Sequence, residues 1–468
     1  MSLFTNREFR WRLITASILT IGYAGFYLCR YNLSVVATMD SFYGENGVVS
    51  ETEYGWLVTI GIAFYGLGKF SNGILTDYLG GKRMLLIGMF ISVLVNFLLG
   101  FTTAIISMIL IVAVNRFVQS GGWAGLVKVT SHWYSWRWYG SVMAVLSISY
   151  LVGDVITRVY LGIFVERGYS WSAIIFISAA TFLAITLLLM WLLREKPGDL
   201  GLPEPETNPE NVYGEKGNED HPDSIKDLIL PFLTSVSFWM VLIMSFGLTM
   251  IREVFNSWSG PLIKELSDVS AGVAVFGSIA FPLGGLVSVL LCGFLSDRLA
   301  KGNRAKIIVP GLVLACGAIL FFDAIKDEGN YYLIVLALGL VALFLIGPYS
   351  FLGAAIALDL GGKRGSASAS GIIDGVGYFV GGTFAGGGIS WVRAEYDWAG
   401  VIILLLFMTI LSTAAAIIYW WRVHLKEKRL HLNEAWYRLQ TCTANSNSFN
   451  LTFNRVGYGI CVPCCAPQ

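Results

Sequence analysis

Charge is what this sequence has least of. Only 13% of its 468 residues are Asp, Glu, Lys or Arg, against roughly 25% in an ordinary soluble domain. Too few charges remain to cover a water-facing surface, and a soluble globular protein is excluded. Neither sign predominates: a net charge of +1 supplies no basic field for a phosphate backbone, and no DNA or RNA partner is expected. Catalytic signatures are missing too. There is no GxxxxGK[ST], no HExxH and no GxSxG, so neither ATP-driven transport nor an enzyme is expected, and no cofactor. The first apolar block is too long for a signal peptide and lacks a small-residue cleavage site, so it is expected to remain as the first span.

What is present is apolar, 55% of the chain, in blocks long enough to cross a hydrocarbon core of about 30 Å at about 1.5 Å per residue. The blocks predict twelve helices at 13–37, 55–78, 84–103, 105–127, 139–165, 172–193, 234–262, 271–296, 306–325, 331–357, 366–392 and 397–421. An aromatic content of 14% fits belts of Trp and Tyr at the two interfaces. Most Lys and Arg fall in the termini and in loops after even-numbered spans, among them Arg7, Lys82, Arg137, Arg194, Arg304 and Lys363. The opposite loops hold only Arg167, Lys264, Lys326 and Arg393. The positive-inside rule then places both termini in the cytoplasm.

One long polar stretch, rich in Pro, Glu, Asn and Gly, interrupts the spans. It divides the chain into a six-helix half at 1–194, a cytoplasmic linker at 195–230, a second six-helix half at 231–424 and a disordered tail at 425–468. Two features recur across that division. GILTDYLGGKR, with Gly73, Asp77, Lys82 and Arg83, follows the second span. GFLSDRLAKGNR, with Gly293, Asp297, Arg298 and Arg304, follows the eighth. Taken alone, each is an ordinary turn with basic flanks. Their placement 220 residues apart marks a repeat. Glycine there lets helices approach, and an Asp at a helix end can pair with a cation or a helix N-terminus across a closing gate.

Arg30 in the first span and Arg252 in the seventh lie 222 residues apart, equivalent places in the two halves. An Arg at such depth costs about 2.5–3.5 kcal/mol on insertion scales, so two of them imply a shared anion or a watered cavity. Guanidinium suits phosphate because its planar fork donates bidentately and never deprotonates. The competing reading pairs each Arg with an intramembrane carboxylate, Glu253 or Asp154. A direct neighbour such as Glu253 points about 100° away on a helix, which argues against a local pair. Asp154 and Arg158, four apart, are read as a structural pair. Lys69 is a third buried cation, with Tyr65 one turn before it, and Tyr23, Tyr27 and Arg30 form one helical stripe. Such tyrosines are packing residues or, beside a cation, the wall of a cavity. Lys128 is expected to snorkel or line an entry path.

At these residues the chain resembles the organophosphate:phosphate antiporters of the major facilitator superfamily. The stretches that carry the resemblance are GYAGFYLCRYNLS, FYGLGKFSNGILTD, QSGGWAGLVKVTSHWYS, REKPGDLGLP and GKRGSASASGIIDGVGYFVGG, within a similarity over about residues 10–425. The resemblance implies an all-α integral membrane protein of major facilitator fold, with twelve transmembrane helices in two six-helix halves. It matches Arg30 and Arg252 to the family's phosphate-binding arginines, Lys69 to its second-helix lysine, and Tyr23, Tyr27, Tyr65 and Tyr378 to tyrosines near the site. Tyr150 stands where the glycerol-phosphate transporters have a histidine, Thr249 replaces a tyrosine, and Asp374 with glycines at 382 and 386 replaces an acid–base pair.

The implied activity is exchange of an organophosphate (glycerol phosphate, sugar phosphate or phosphoglycerate) for inorganic phosphate by alternating access. The implied protein is a monomer in the plasma membrane. A transporter-like sensor of sugar phosphate and a proton-coupled carrier of another organic anion are the alternatives. Of the seven cysteines, Cys29, Cys292 and Cys316 read as small apolar residues of the spans. Cys442, Cys461, Cys464 and Cys465 crowd the tail, where no metal is expected.

Overall fold

The computed structural model describes residues 6–444 except 38, 40, 43–46, 210, 220, 221, 270–272, 274–276, 300–302 and 383. Residues 1–421 form one compact unit and 422–468 a second. The first is all-helical apart from its connections. Before the linker come α1 (Asn6–Leu28), the short α2 (Asn32–Val36), α3 (Glu51–Leu79), α4 (Gly81–Leu99), α5 (Ile105–Gln119), α6 (Gly121–Trp133), α7 (Tyr139–Glu166) and α8 (Trp171–Leu192). After it come α9 (Ile225–Thr234), α10 (Val236–Ser267), α11 (Ala280–Arg298), α12 (Ala305–Ile325), α13 (Tyr331–Phe351), α14 (Ala357–Val376) and α15 (Ile389–Ala444).

Local chemistry sets several boundaries. Ser50 and Glu53 form a capping box that starts α3, and Gly80 at φ 88° ends it. Ser170, Ser235 and Asn330 cap α8, α10 and α13 with side-chain oxygens. Among the described residues, nine helical stretches are long and apolar enough to cross a membrane. One of them, Tyr331–Gly382, has 52 residues, far beyond the roughly 20 a span requires; it is broken at Gly362 and Gly365, whose backbones are not helical. Large apolar side chains such as Leu94, Val159 and Ile403 point outward, as lipid-facing residues do.

The first expected span, 13–37, is not one helix. It stops at Leu28 and resumes at Asn32, with Arg30 in the turn between. FYLCRYNLS contains no glycine or proline to announce this. The break is held from outside: Asn115 and Gln119 of α5 both donate to the carbonyl of Cys29, and Arg116 donates to that of Arg30 at 2.9 Å. Non-helical backbone at membrane depth persists where protein groups satisfy it in this way.

The polar linker is also more ordered than its composition suggests. Glu195 accepts from the N–H groups of Gly81 and Lys82 at the start of α4, at 2.7 and 2.8 Å. Burial lifts its carboxyl above the usual range while those two donors pull it down. Further along, Thr207, Asn208 and Asn211 are buried, and Val212 N–H donates to Leu360 of α14. The second unit, expected without structure, is helical through Ala444. Cys461, Cys464 and Cys465 lie outside the described residues, as do the side chains of Cys442 and Arg158, and with the last the expected Asp154–Arg158 pair.

Candidate anion site and the motif contacts beside it

Helices from both sides of the linker bring Arg30, Lys69 and Arg252 around a pair of tyrosine rings. Tyr65 of α3 and Tyr378, in a π-helical segment (Gly377–Gly382) after α14, meet edge to face at 5.7 Å. The guanidinium of Arg30 stands 4.8 Å from the rings of both Tyr27 and Tyr65. Lys69 Nζ lies 5.1 Å from Tyr65 and 6.0 Å from Tyr378, and Arg252 lies 5.4 Å from Tyr378. Aromatic faces attract cations by their quadrupole, so these rings hold like charges near one another without neutralising them.

The cations differ in what else they touch. Arg30, 7% exposed, donates from Nε to Gln119 Oε1 at 2.9 Å, while its buried Nη2 has no hydrogen-bond partner. Gln119 thus fixes both the broken backbone and the guanidinium plane. Lys69, 3% exposed, pairs with Asp374 at 2.8 Å, a contact that joins α3 to α14. Arg252 donates to the hydroxyls of Tyr349 and Tyr378, each at 2.8 Å. It also donates from Nε and Nη2 to Glu253 Oε1. The expectation that adjacent helical positions face apart fails here, because both side chains are long enough to bend back to each other.

Of the other expected site residues, Tyr23 is buried, and its ring packs 5.2 Å from Trp123. Tyr150 also packs against Trp123, at 6.5 Å, and lies within electrostatic reach of Arg252. Trp123 donates to Gly353 O at 2.9 Å, a further contact across the linker division. Gln119, Trp123, Arg116 and Tyr349 did not stand out in the sequence. The signal that could have found them is polar or amphipathic side chains on membrane-length helices facing a buried arginine.

At the end of the bundle that carries the linker, the repeated motifs join helices from its two sides. Asp77 accepts from Ala367 and Ser368 N–H of α14, at 3.4 and 2.6 Å. Asp297 accepts from Gly140 and Ser141 N–H of α7, at 3.1 and 2.6 Å. Gly73 and Gly293 make the approach possible. A Cβ on Gly73 would stand 2.9 Å from Gly371 Cα, and one on Gly293 would stand 2.4 Å from Ala144 Cβ. Lys128 does not snorkel: it is 1% exposed, sits 3.0 Å from Asp77, and donates to the carbonyl of Lys363. Arg304 pairs with Asp359 at 2.7 Å and donates to Trp136 O. Arg83 is exposed, and Arg298, also exposed, lies over the ring of Phe294, so the structure brings neither to the Asp77 and Asp297 contacts.

Long apolar helices with cations gathered where helices from the two sides of the linker meet fit a membrane transporter. The Major Facilitator Superfamily profile matches residues 19–386, and the chain belongs to that superfamily. It is 26% identical over 411 residues to the probable hexose phosphate transport protein of Chlamydia pneumoniae, covering 84% of this chain and 88% of that one. It is 25% identical over 395 residues to the glycerol-3-phosphate transporter of Bacillus subtilis, covering 82% and 87%. In fold it resembles the fucose:proton symporter FucP of E. coli, with a TM-score of 0.66 at 12% identity over 87% of this chain and 99% of that one.

Proposed function

We propose that the protein exchanges an organophosphate for inorganic phosphate by alternating access, the phosphoryl group binding among Arg30, Lys69 and Arg252. The observation that carries this reading is the buried, unpartnered Nη2 of Arg30 in a cluster of three cations spread over both sides of the linker. A donor left unsatisfied in a dry site costs about 1–3 kcal/mol, and an anion removes that cost. Sugar- and glycerol-phosphate transporters among the relatives support a phosphate ester. The two six-helix halves would rock about this site, with the linker and both termini in the cytoplasm.

Lys69 and Arg252 already hold carboxylates, so the site carries less net charge than the three cations alone suggest. The incoming phosphoryl group competes with Asp374 for Lys69 and with Glu253 for part of Arg252. Proteoliposomes loaded with inorganic phosphate and offered glycerol phosphate, hexose phosphates or phosphoglycerate test the reading; exchange by none of them refutes it. The Lys69–Asp374 pair favours a second reading, a proton-coupled carrier in which Asp374 takes the proton. Uptake driven by a pH gradient with no internal phosphate would select it.

A further inference from the structure

A second basic site lies away from the cation cluster, where the start of α1 meets the end of α8. Arg7, Arg10 and Arg194 line a half-open cavity of about 730 Å³ together with Trp11, Trp191 and Leu192. Among the described residues, no acidic side chain lines it. The nearest carboxylates along the chain are engaged elsewhere: Glu8 pairs with Arg12 at 2.8 Å, and Glu195 caps α4. Arg7 spends one donor on Leu200 O and Arg194 one on Trp191 O, while Arg10 has no polar contact to any described residue. Basic loops at a membrane surface ordinarily spread their charge into water. Here three guanidinium groups converge on one concavity.

The cavity is also amphipathic in the sense a lipid requires. Trp191 is 71% exposed, and Leu13 and Phe9 on α1 are more than half exposed, so an apolar surface continues from the basic rim down the outside of the bundle. Arg194 lies 6.0 Å from the Trp11 ring, which holds its charge at the level of an interfacial tryptophan. Basic pockets between membrane helices bind anionic headgroups, with Arg matching phosphate bidentately.

We propose that this cavity binds the headgroup of an anionic phospholipid from the leaflet at the linker end, with its acyl chains along Phe9 and Leu13. Because Arg7 also holds Leu200 of the linker, the lipid braces the linker where it leaves α8.

Native mass spectrometry of the detergent-purified protein, titrated with phosphatidylglycerol or phosphatidylcholine, tests this. Phosphatidylglycerol is expected to be retained about tenfold more, an advantage of about 1.4 kcal/mol. Arg10→Gln, which removes no polar contact to a described residue, should reduce that preference several-fold, and Arg7→Gln/Arg10→Gln should abolish it. Arg83→Gln, exposed at the same end, should leave it intact. Equal retention of the two lipids, or an unchanged preference in Arg7→Gln/Arg10→Gln, overturns the proposal. So does inorganic phosphate displacing phosphatidylglycerol at millimolar concentration, since the site would then be one for free phosphate.

Discussion

Asp77 and Asp297, 220 residues apart, make the same contact in opposite directions: each carboxylate accepts two backbone N–H groups at a helix start across the linker division. A carboxylate at a helix N-terminus meets both orphan donors and the positive end of the dipole. The two contacts are not of equal weight. Asp77 is fully buried and also pairs with buried Lys128, whereas Asp297 is part-exposed. Asp77→Asn should therefore open the linker end more than Asp297→Asn. Stranding the buried Lys128 costs about 3–5 kcal/mol, against about 1.5–3 kcal/mol for a charged hydrogen bond. Spin-label distances between α3 and α14 at that end measure the shift, and an equal response of the two variants would contradict the ranking.

The arginine pair and the Gly-x-x-x-Asp repeat were legible because each is conspicuous against its background: a charge in an apolar span, a turn repeated at one offset. Their partners were less so. Asp374 lies 305 positions from Lys69, and nothing local marks the contact. The Arg252–Glu253 contact is invisible to Cβ directions because it depends on the reach of two long side chains. The break at Arg30 was hidden because its cause is on α5, in Asn115, Arg116 and Gln119. The linker reads as a flexible spacer by composition, and its order comes from tertiary contacts to α4 and α14.

Gln119 should act as a positioning residue for Arg30. Gln119→Glu places a carboxylate where Oε1 now accepts from Arg30 Nε, and the guanidinium then has an internal counter-ion. Phosphate binding measured by calorimetry should weaken by about tenfold or more, about 1.4 kcal/mol per decade. Arg30→Lys should weaken it similarly although the charge is kept, because an ammonium cannot replace the planar fork. Affinity unchanged in both variants would remove Arg30 from the site.

The linker contacts predict a strain-sensitive position. Gly362 has φ 57°, and a Cβ there would stand 2.7 Å from Gly217 O of the linker. Beside it, Lys363 pairs with Glu204 at 2.8 Å, and Arg364 with Glu219 and Asp223. Gly362→Ala should loosen the linker by about 1–3 kcal/mol and speed limited proteolysis within 204–219. If protease sensitivity did not change in Gly362→Ala, the linker's docking on α14 would be in doubt.

Asp374 separates the two transport readings. In the wild-type protein its carboxylate holds Lys69 at 2.8 Å, so an arriving phosphoryl group has to displace it. If exchange is the activity, Asp374→Asn frees the ammonium. Inorganic phosphate should then bind more tightly, by up to about tenfold for each 1.4 kcal/mol of pairing lost, with counterflow retained. If instead Asp374 carries a coupled proton, the same substitution should abolish pH-driven accumulation while leaving binding in place. Weaker phosphate binding in Asp374→Asn would contradict the competition on which the exchange reading depends, since it would mean that Asp374 orients Lys69 rather than occupying it. Measuring phosphate affinity and pH-driven uptake on this one variant distinguishes all three outcomes.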